Sequence, residues 1–207
     1  MDTDRVEVFF VRHGQVDFPS GVFYGQMDIP LSETGKRQSI LCARRLDTLD
    51  LDAVVTSDLS RCRYIARHIT TVPKERIFEE ERLREIDFGK WQGKSWEEID
   101  ESWPGEMERR MSNLSTYRPP GGESLSDLWN RSRQVFEGCL EGNYGKRVAI
   151  IAHGGINRVF MCKLLGMDLQ NLFSLHQDYA CLNRVDSYPD GVKVLRFANC
   201  TCHLEGL

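Results

Sequence analysis

The residues best equipped for chemistry stand at the ends of two short apolar runs. Arg12, His13 and Gly14 follow VEVFFV at 6–11, and His153, Gly154 and Gly155 follow VAIIA at 148–152. A histidine ring nitrogen can attack phosphorus, and a neighbouring arginine offers a planar fork of N–H donors that fits phosphate oxygens. Gly14, having no Cβ, lets backbone come close to an anion. Arg61 supplies a second guanidinium in the first turn of a predicted helix, an unfavourable place for a cation unless an anion accompanies it. His153 and the amide of Gly154 can complete a phosphate cradle. A phosphoryl-transfer site working without metal also needs a proton donor for the leaving oxygen. The candidates crowd one acidic stretch, Glu79, Glu80, Glu81, Glu85 and Asp87, and local composition does not choose among them.

Elements must hold these groups in place. The run at 6–11 is too short for a helix and apolar on both faces, which predicts a buried parallel strand opening into a loop. Ser32 is a plausible N-cap for a helix bearing Cys42, Ala43, Leu46 and Leu49 on one face, and Ala53 to Thr56 supplies another strand. Ser57 or Asp58 is expected to cap a helix with Leu59, Cys62, Ile65, Ala66 and Ile69 as its stripe. Residues from about 80 to 121 break this rhythm with charge, three tryptophans and a closing PPGG, and read as an excursion over the sheet. Spacing at i, i+3 and i+4 from Leu125 to Cys139 predicts a long helix, and the strand at 148–152 leads into a helix carrying Ile156, Val159, Phe160 and Leu164. Two strands flank the turn at Pro189, Asp190 and Gly191. The pattern predicts an α/β fold, a three-layer α/β/α sandwich with a mostly parallel central sheet, in which ligands bind at the carboxyl ends of strands.

The chain has 207 residues, enough for one domain spanning 1–207 without staples. A net charge of −4 leaves no global basic footprint for nucleic acid, so an anionic ligand must be drawn by local arginines and histidines. No apolar stretch is long enough for a signal peptide or a bilayer span, which predicts a cytoplasmic protein that does not engage membranes. The seven cysteines are odd in number and without paired spacing, which fits reduced thiols in a reducing compartment. Cys200, Cys202 and His203 lack a fourth partner for a closed metal site. No metal and no other cofactor is expected.

Six blocks in order then carry a resemblance: VRHG at 11–14, GQMDIPLSETGKRQ at 25–38, TSDLSRCRYIA at 56–66, LREIDFGKWQG at 83–93, GGES at 121–124 and AHGG at 152–155. Together they resemble the histidine phosphatase superfamily, also called the phosphoglycerate mutase-like family. The resemblance implies that His13 is the phosphorylated nucleophile, Glu85 the proton donor, and Arg12, Arg61 and His153 the phosphate binders. Gly14, Gly25, Gln26 and Gly154 fall in the blocks expected to line the substrate. Where many members carry Glu and then Thr or Ser after RHG, and an Asn several residues on, this chain has Gln15, Val16 and Asp17, with Pro19 and Ser20 near the Asn position. Gln15 or Ser20 is the substitute on offer.

Chain length and the tail from His176 are most similar to the alpha-ribazole phosphatases, which remove a phosphate during assembly of the lower ligand of cobalamin. The expected reaction is hydrolysis of a small-molecule phosphomonoester by a monomer or homodimer. Phosphoglycerate mutase-type transfer and a non-catalytic phosphate-binding scaffold are the rivals, and retention of the nucleophile and both arginines counts against the scaffold. Trp91, Trp96 and Trp103 with Arg109, Arg110, Tyr117 and Arg118 read equally as a substrate-recognising wall or as packing. His68, His176 and His203 read as structural.

Overall fold

Side chains of a strand alternate between two faces, so a strand apolar at every position must be covered on both. In the computed structural model, which describes residues 5–142 and 145–207, Val8 and Phe10 enter one buried cluster while Phe9 and Val11 enter another on the opposite face. In chain order the strands are β1 (Val6–Arg12), β2 (Val22–Phe23), β3 (Ala53–Thr56), β4 (Ile77–Glu79), β5 (Lys94–Ser95), β6 (Arg147–Ala152), β7 (Leu182–Ser187) and β8 (Lys193–Cys200). Six of them form a sheet of order β4-β3-β6-β1-β7-β8. The β4, β3, β6 and β1 pairings are parallel, and β7 and β8 extend the sheet antiparallel as the hairpin around the Pro189 turn.

Among the described residues six α-helices accompany the strands: α1 (Glu33–Asp47), α2 (Ser60–Ala66), α3 (Trp96–Ser102), α4 (Glu106–Ser112), α5 (Leu125–Leu140) and α6 (Gly154–Leu165). Cys42, Ala43 and Leu46 of α1 and Cys62 and Ile65 of α2 pack on the face that carries Phe9 and Val11. Leu128, Val135 and Phe136 of α5 and Ile156, Val159 and Phe160 of α6 cover the face that carries Val8 and Phe10. The phenyl rings of Phe136 and Phe160 stack with centroids 4.7 Å apart over Phe10, and burying each such ring contributes about 1.5–3 kcal/mol. The expected three-layer α/β/α architecture with a mostly parallel sheet is therefore observed. Among the described residues no helix is long and apolar enough to cross a membrane.

Caps set the helix starts. Ser32 accepts from the Gly35 N–H at α1, and Ser124 and Asp127 form a reciprocal capping box at α5. The helix after β3 departs from expectation: it begins at Ser60 with Leu59 in the cap position, and neither Ser57 nor Asp58 caps it. The Ser60 N–H is satisfied instead by Asp28 Oδ1 at 2.8 Å, from a loop distant in sequence. Ser57 is drawn to His153 and Asp58 to Arg84, stronger partners than a helix amide. Leu49 and Ile69, assigned to the helical stripes, lie just beyond the ends of α1 and α2 yet still pack on that layer.

The excursion has a small core of its own, Trp91, Ile99 and Met107 with Phe23, Phe88 and Tyr117 against it. It is tied to the loop after β1 through the β2–β5 pair. Gly89 and Gly122 seat it against the start of α5, since a Cβ on Gly122 would lie 2.5 Å from the Asp87 carbonyl oxygen.

Candidate active site

Parallel register delivers the two histidines side by side. Arg12 pairs with Ala152 and Thr56 with Ile151, and the ladder runs on through His13 N–H to Ala152 O at 3.2 Å and Ser57 N–H to Ile151 O at 2.9 Å. His13 and His153 thus leave adjacent strands at one edge, with ring centroids 5.2 Å apart, and both are buried. Gly14 owes its identity to packing here: a Cβ would sit 2.3 Å from the Gly35 carbonyl oxygen in the first turn of α1.

The hydrogen bonds assign the tautomers. His13 Nδ1 lies 2.7 Å from the Gly14 carbonyl oxygen, which can only accept, so the proton is on Nδ1 and the Nε2 lone pair is free. Arg61 Nε–H donates to His153 Nδ1 at 3.2 Å, which leaves the His153 proton on Nε2, directed at Ser57 Oγ 2.9 Å away. Burial first, and then the charges of Arg61 and Arg12, hold the His13 imidazole well below its ordinary pKa. Burial followed by Arg61 and His13 does the same to His153. Both rings are neutral near neutrality, the form that a nucleophile requires.

Two guanidiniums face this pair. Arg61, with no exposed surface, donates to the carbonyls of Met27 at 2.7 Å and Gly25 at 2.8 Å, and Gly25 adopts φ +44° in a turn packed against Ile86 O. Arg12 donates to Gln177 O at 2.6 Å and lies 4.0 Å over the Tyr179 ring, but its buried Nε has no protein partner. Gly154 makes room for it, because a Cβ there would approach Arg12 Nε to 3.2 Å. Among the described residues neither arginine has a carboxylate within ion-pair distance, so positive charge converges on His13 without compensation, the condition for binding an anion.

Glu85 occupies the start of α6. Its Oε2 accepts the Gly155 N–H at 2.8 Å, and its Oε1 accepts those of Ile156 at 3.2 Å and Ile86 at 3.0 Å. Arg131 holds the peptide behind it, donating to Glu85 O at 2.9 Å and Arg84 O at 2.8 Å while pairing with Glu123 of the GGES block at 2.7 Å. Gly155 is a second seat, since a Cβ would fall 2.5 Å from Glu85 Oε1. We expect Gly155→Ala, helix-favouring in itself, to lower kcat about 10- to 100-fold through displacement of that carboxyl. Steady-state kinetics beside an unchanged far-ultraviolet dichroism spectrum checks this.

Glu85 and Gly155 open onto a cavity of about 440 Å3 lined also by Phe23, Phe88, Trp96, Arg110 and Arg158. Of the residues singled out from sequence, His13, Arg12, Arg61, His153 and Gly154 are brought together, with Glu85 at the mouth of this cavity. Gly25 acts through its carbonyl on Arg61. Gln26 lines a separate cleft with Glu80, Arg84 and Asp87, its own N–H tied to Gln92. Gln15 turns its side chain to Ser32 at the start of α1, and Ser20 is exposed. Trp91 is core, whereas Trp96 is 44% exposed and lines the cavity. Cys200 and Cys202 have sulfurs 3.2 Å apart, His203 Nε2 meets the Ala180 carbonyl at 3.0 Å, and no cluster of three or more metal-ligating groups occurs among the described residues.

Tyr24 and Tyr179 were not foreseen. They wall the histidine pocket, with Tyr179 under Arg12 and Tyr24 5.2 Å from Arg61. Both sit in irregular loops, where no periodicity marks them. Arg158 was also missed, although it stands four residues after Gly154 and so on the same face of α6.

The depressed histidines make the fold sensitive to acid. In the unfolded chain both titrate near about 6.5, whereas in the folded chain they stay neutral well below that. Between those values the unfolded state binds more protons, so stability falls as pH drops, by up to about 1.4 kcal/mol per pH unit for each ring. Urea titrations from pH 7 to 5 are expected to show this slope, and it should shrink in His153→Gln.

A buried neutral imidazole between two unpaired guanidiniums, at the carboxyl edge of a parallel sheet, is an anion-binding centre of the phosphoryl-transfer class. The chain belongs to the histidine phosphatase superfamily (branch 1), which it matches over residues 8–200, and it is a phosphoric monoester hydrolase by that membership. It is 32% identical over 200 residues to phosphoserine phosphatase 1 of Hydrogenobacter thermophilus, covering 96% of this chain and 94% of that one. The native structure of mycobacterial glucosyl-3-phosphoglycerate phosphatase superposes with a TM-score of 0.81 at 26% identity, covering 95% of this chain and 99% of that one. A putative alpha-ribazole-5'-P phosphatase from Escherichia coli shares the fold, with a TM-score of 0.84 at 20% identity over 95% of this chain and 97% of that one.

Proposed function

We propose that the chain hydrolyses phosphomonoesters of small metabolites through a phosphohistidine on His13, with no metal taking part. The supporting observation is the free Nε2 of a neutral His13 held between Arg12 and Arg61. Nε2 attacks phosphorus as the ester P–O bond breaks, and Glu85 delivers a proton to the departing oxygen. Water then attacks phosphorus, Glu85 takes its proton, and the N–P bond breaks to release phosphate and free His13. Arg12, whose Nε lacks a partner, and Arg61 stabilise the equatorial oxygens in both steps. His153, engaged by Arg61 and Ser57, holds the clamp in place.

The excursion over 80–121 serves as a cap over a single domain, and the cavity beneath it takes the leaving group. α-Ribazole 5'-phosphate is the substrate to which the tail points, and the aromatic walls Phe23, Phe88 and Trp96 favour a ring in that place. Phosphoserine is the counterpart drawn from the H. thermophilus relative. The test is phosphate release with EDTA present from these two esters, 3-phosphoglycerate and p-nitrophenyl phosphate. Release in EDTA from a small ester supports the reading, and phosphoryl exchange between hydroxyls without release would replace it by a mutase.

A further inference from the structure

Two of the seven cysteines stand apart from the rest. Cys42, Cys62, Cys139, Cys162 and Cys181 are buried, whereas Cys200 is half-buried and Cys202 exposed, with their sulfurs 3.2 Å apart. Cys200 is fixed in the β7–β8 ladder opposite Leu182, while Cys202 opens the short turn Cys202–Leu204. That turn carries His203, whose Nε2 lies 3.0 Å from the Ala180 carbonyl oxygen. Ala180 holds φ +56°, a left-handed conformation that alanine keeps only where its surroundings impose it. Its N–H donates to His13 O at 3.0 Å, and the Tyr179 ring beside it lies under Arg12. Asn199, just before Cys200, ties the same loop from its other end: its Oδ1 accepts the Asp178 N–H at 2.6 Å and its Nδ2 donates to Asp178 Oδ2 at 2.7 Å. Gln177, whose carbonyl accepts from Arg12, completes that loop. The segment bearing the two thiols therefore grips, at both ends, the loop that supports Arg12.

We infer that Cys200 and Cys202 are a redox-active dithiol that a peroxide closes to an intramolecular disulfide, and that closure loosens the loop under Arg12 and weakens the anion site. Hydrogen peroxide oxidises one sulfur to a sulfenic acid and is reduced to water; the second thiol attacks that sulfur, the S–O bond breaks and a second water leaves. Each sulfur gives up one electron and each thiol its proton. The other five thiols are buried and out of reach of the oxidant in the folded chain. Because Cys200 is anchored in the sheet, Cys202 makes the approach and moves the turn that carries His203. Ala180 then loses the partner of its carbonyl, and its strained backbone relaxes and carries Tyr179 from beneath Arg12. A disulfide spanning a single intervening residue closes a small ring, and strained disulfides are the readily reduced ones, so a dithiol reductant reopens it.

The experiment treats the folded protein with hydrogen peroxide at about pH 8.5, where free thiols ionise. Alkaline conditions suit the pair, since the hydrogen bond with Cys200 holds the Cys202 thiol above its ordinary value. In the wild type, peptide mapping is expected to find the segment holding both cysteines lighter by two hydrogens, with both thiols lost to titration. Cys200→Ser and Cys202→Ser should form no such crosslink. Binding of inorganic phosphate, followed by calorimetry, is expected to weaken about 5- to 30-fold in the oxidised wild type and to recover with dithiothreitol, while both serine variants keep their affinity. Disulfide-linked dimers, sulfinic or sulfonic acids in place of the crosslink, or the same phosphate affinity in oxidised and reduced protein would overturn the inference. So would a loss of affinity shared by the serine variants. Neither readout uses turnover, so a failure here leaves the hydrolase reading standing, and a failure of that reading leaves this one to be judged on its own.

Discussion

Replacing His13 by Ala is expected to lower phosphate release from every ester by at least about 10^4-fold, because without a nucleophile neither half-reaction has a starting point. The geometry makes this a strict test. His13 is buried with Nδ1 committed to Gly14 O, and its neighbour His153 has both ring nitrogens engaged, so no second imidazole stands ready to replace it. The complementary measurement is rapid acid-free quenching of the wild type with labelled substrate, which should trap an acid-labile, base-stable phosphoryl group that His13→Ala lacks. Residual turnover of His13→Ala within about tenfold of the wild type would require direct attack by water and a different mechanism.

Glu85→Gln is expected to have the second largest effect, and one that depends on the leaving group. An alkoxide needs a proton as it departs, so alkyl esters should slow about 10^2- to 10^4-fold. p-Nitrophenolate leaves without help, so its ester should retain most of its phosphorylation rate and show a burst, with the hydrolytic half limited by the missing base. The amide keeps the size of the carboxyl, and its one oxygen can accept either the Gly155 N–H or those of Ile156 and Ile86, so the seat on α6 is kept in part. An equal loss on alkyl and aryl esters would mean that Glu85 holds structure and does not move protons.

Much of this arrangement was legible in the chain. The strand before His13 declared itself because a nearly continuous apolar run, broken only by Glu7, suits an element covered on both faces. The long helix at Leu125–Leu140 declared itself through its buried stripe and its Ser124 cap. The start of α2 was misread for a physical reason: the amide that needed a cap found Asp28, distant in sequence, and the nearby hydroxyl of Ser57 went to a histidine on another strand. Gly14 was assigned to the approach of an anion, whereas the space it leaves is filled by α1.

The acidic stretch shows where sequence runs out. Glu79, Glu80 and Glu81 pair with surface arginines, while Glu85 turns inward onto three backbone amides. Nothing local separates these carboxylates, and only the resemblance selected Glu85 beforehand. The same holds for Arg109, Arg110 and Arg118, alike in sequence and distinguished only by which of them found a counter-ion.

The sequence by itself determined the elements and the chemical types at their ends, since strand burial, helical stripes and the strand-end His and Arg residues are properties of neighbours along the chain. The tertiary structure alone decided which carboxyl faces the site and how Arg61 comes to meet His153. Those depend on partners tens of residues away, brought within 3 Å or so by sheet register and by the packing of the excursion, and local sequence carries no record of such distances.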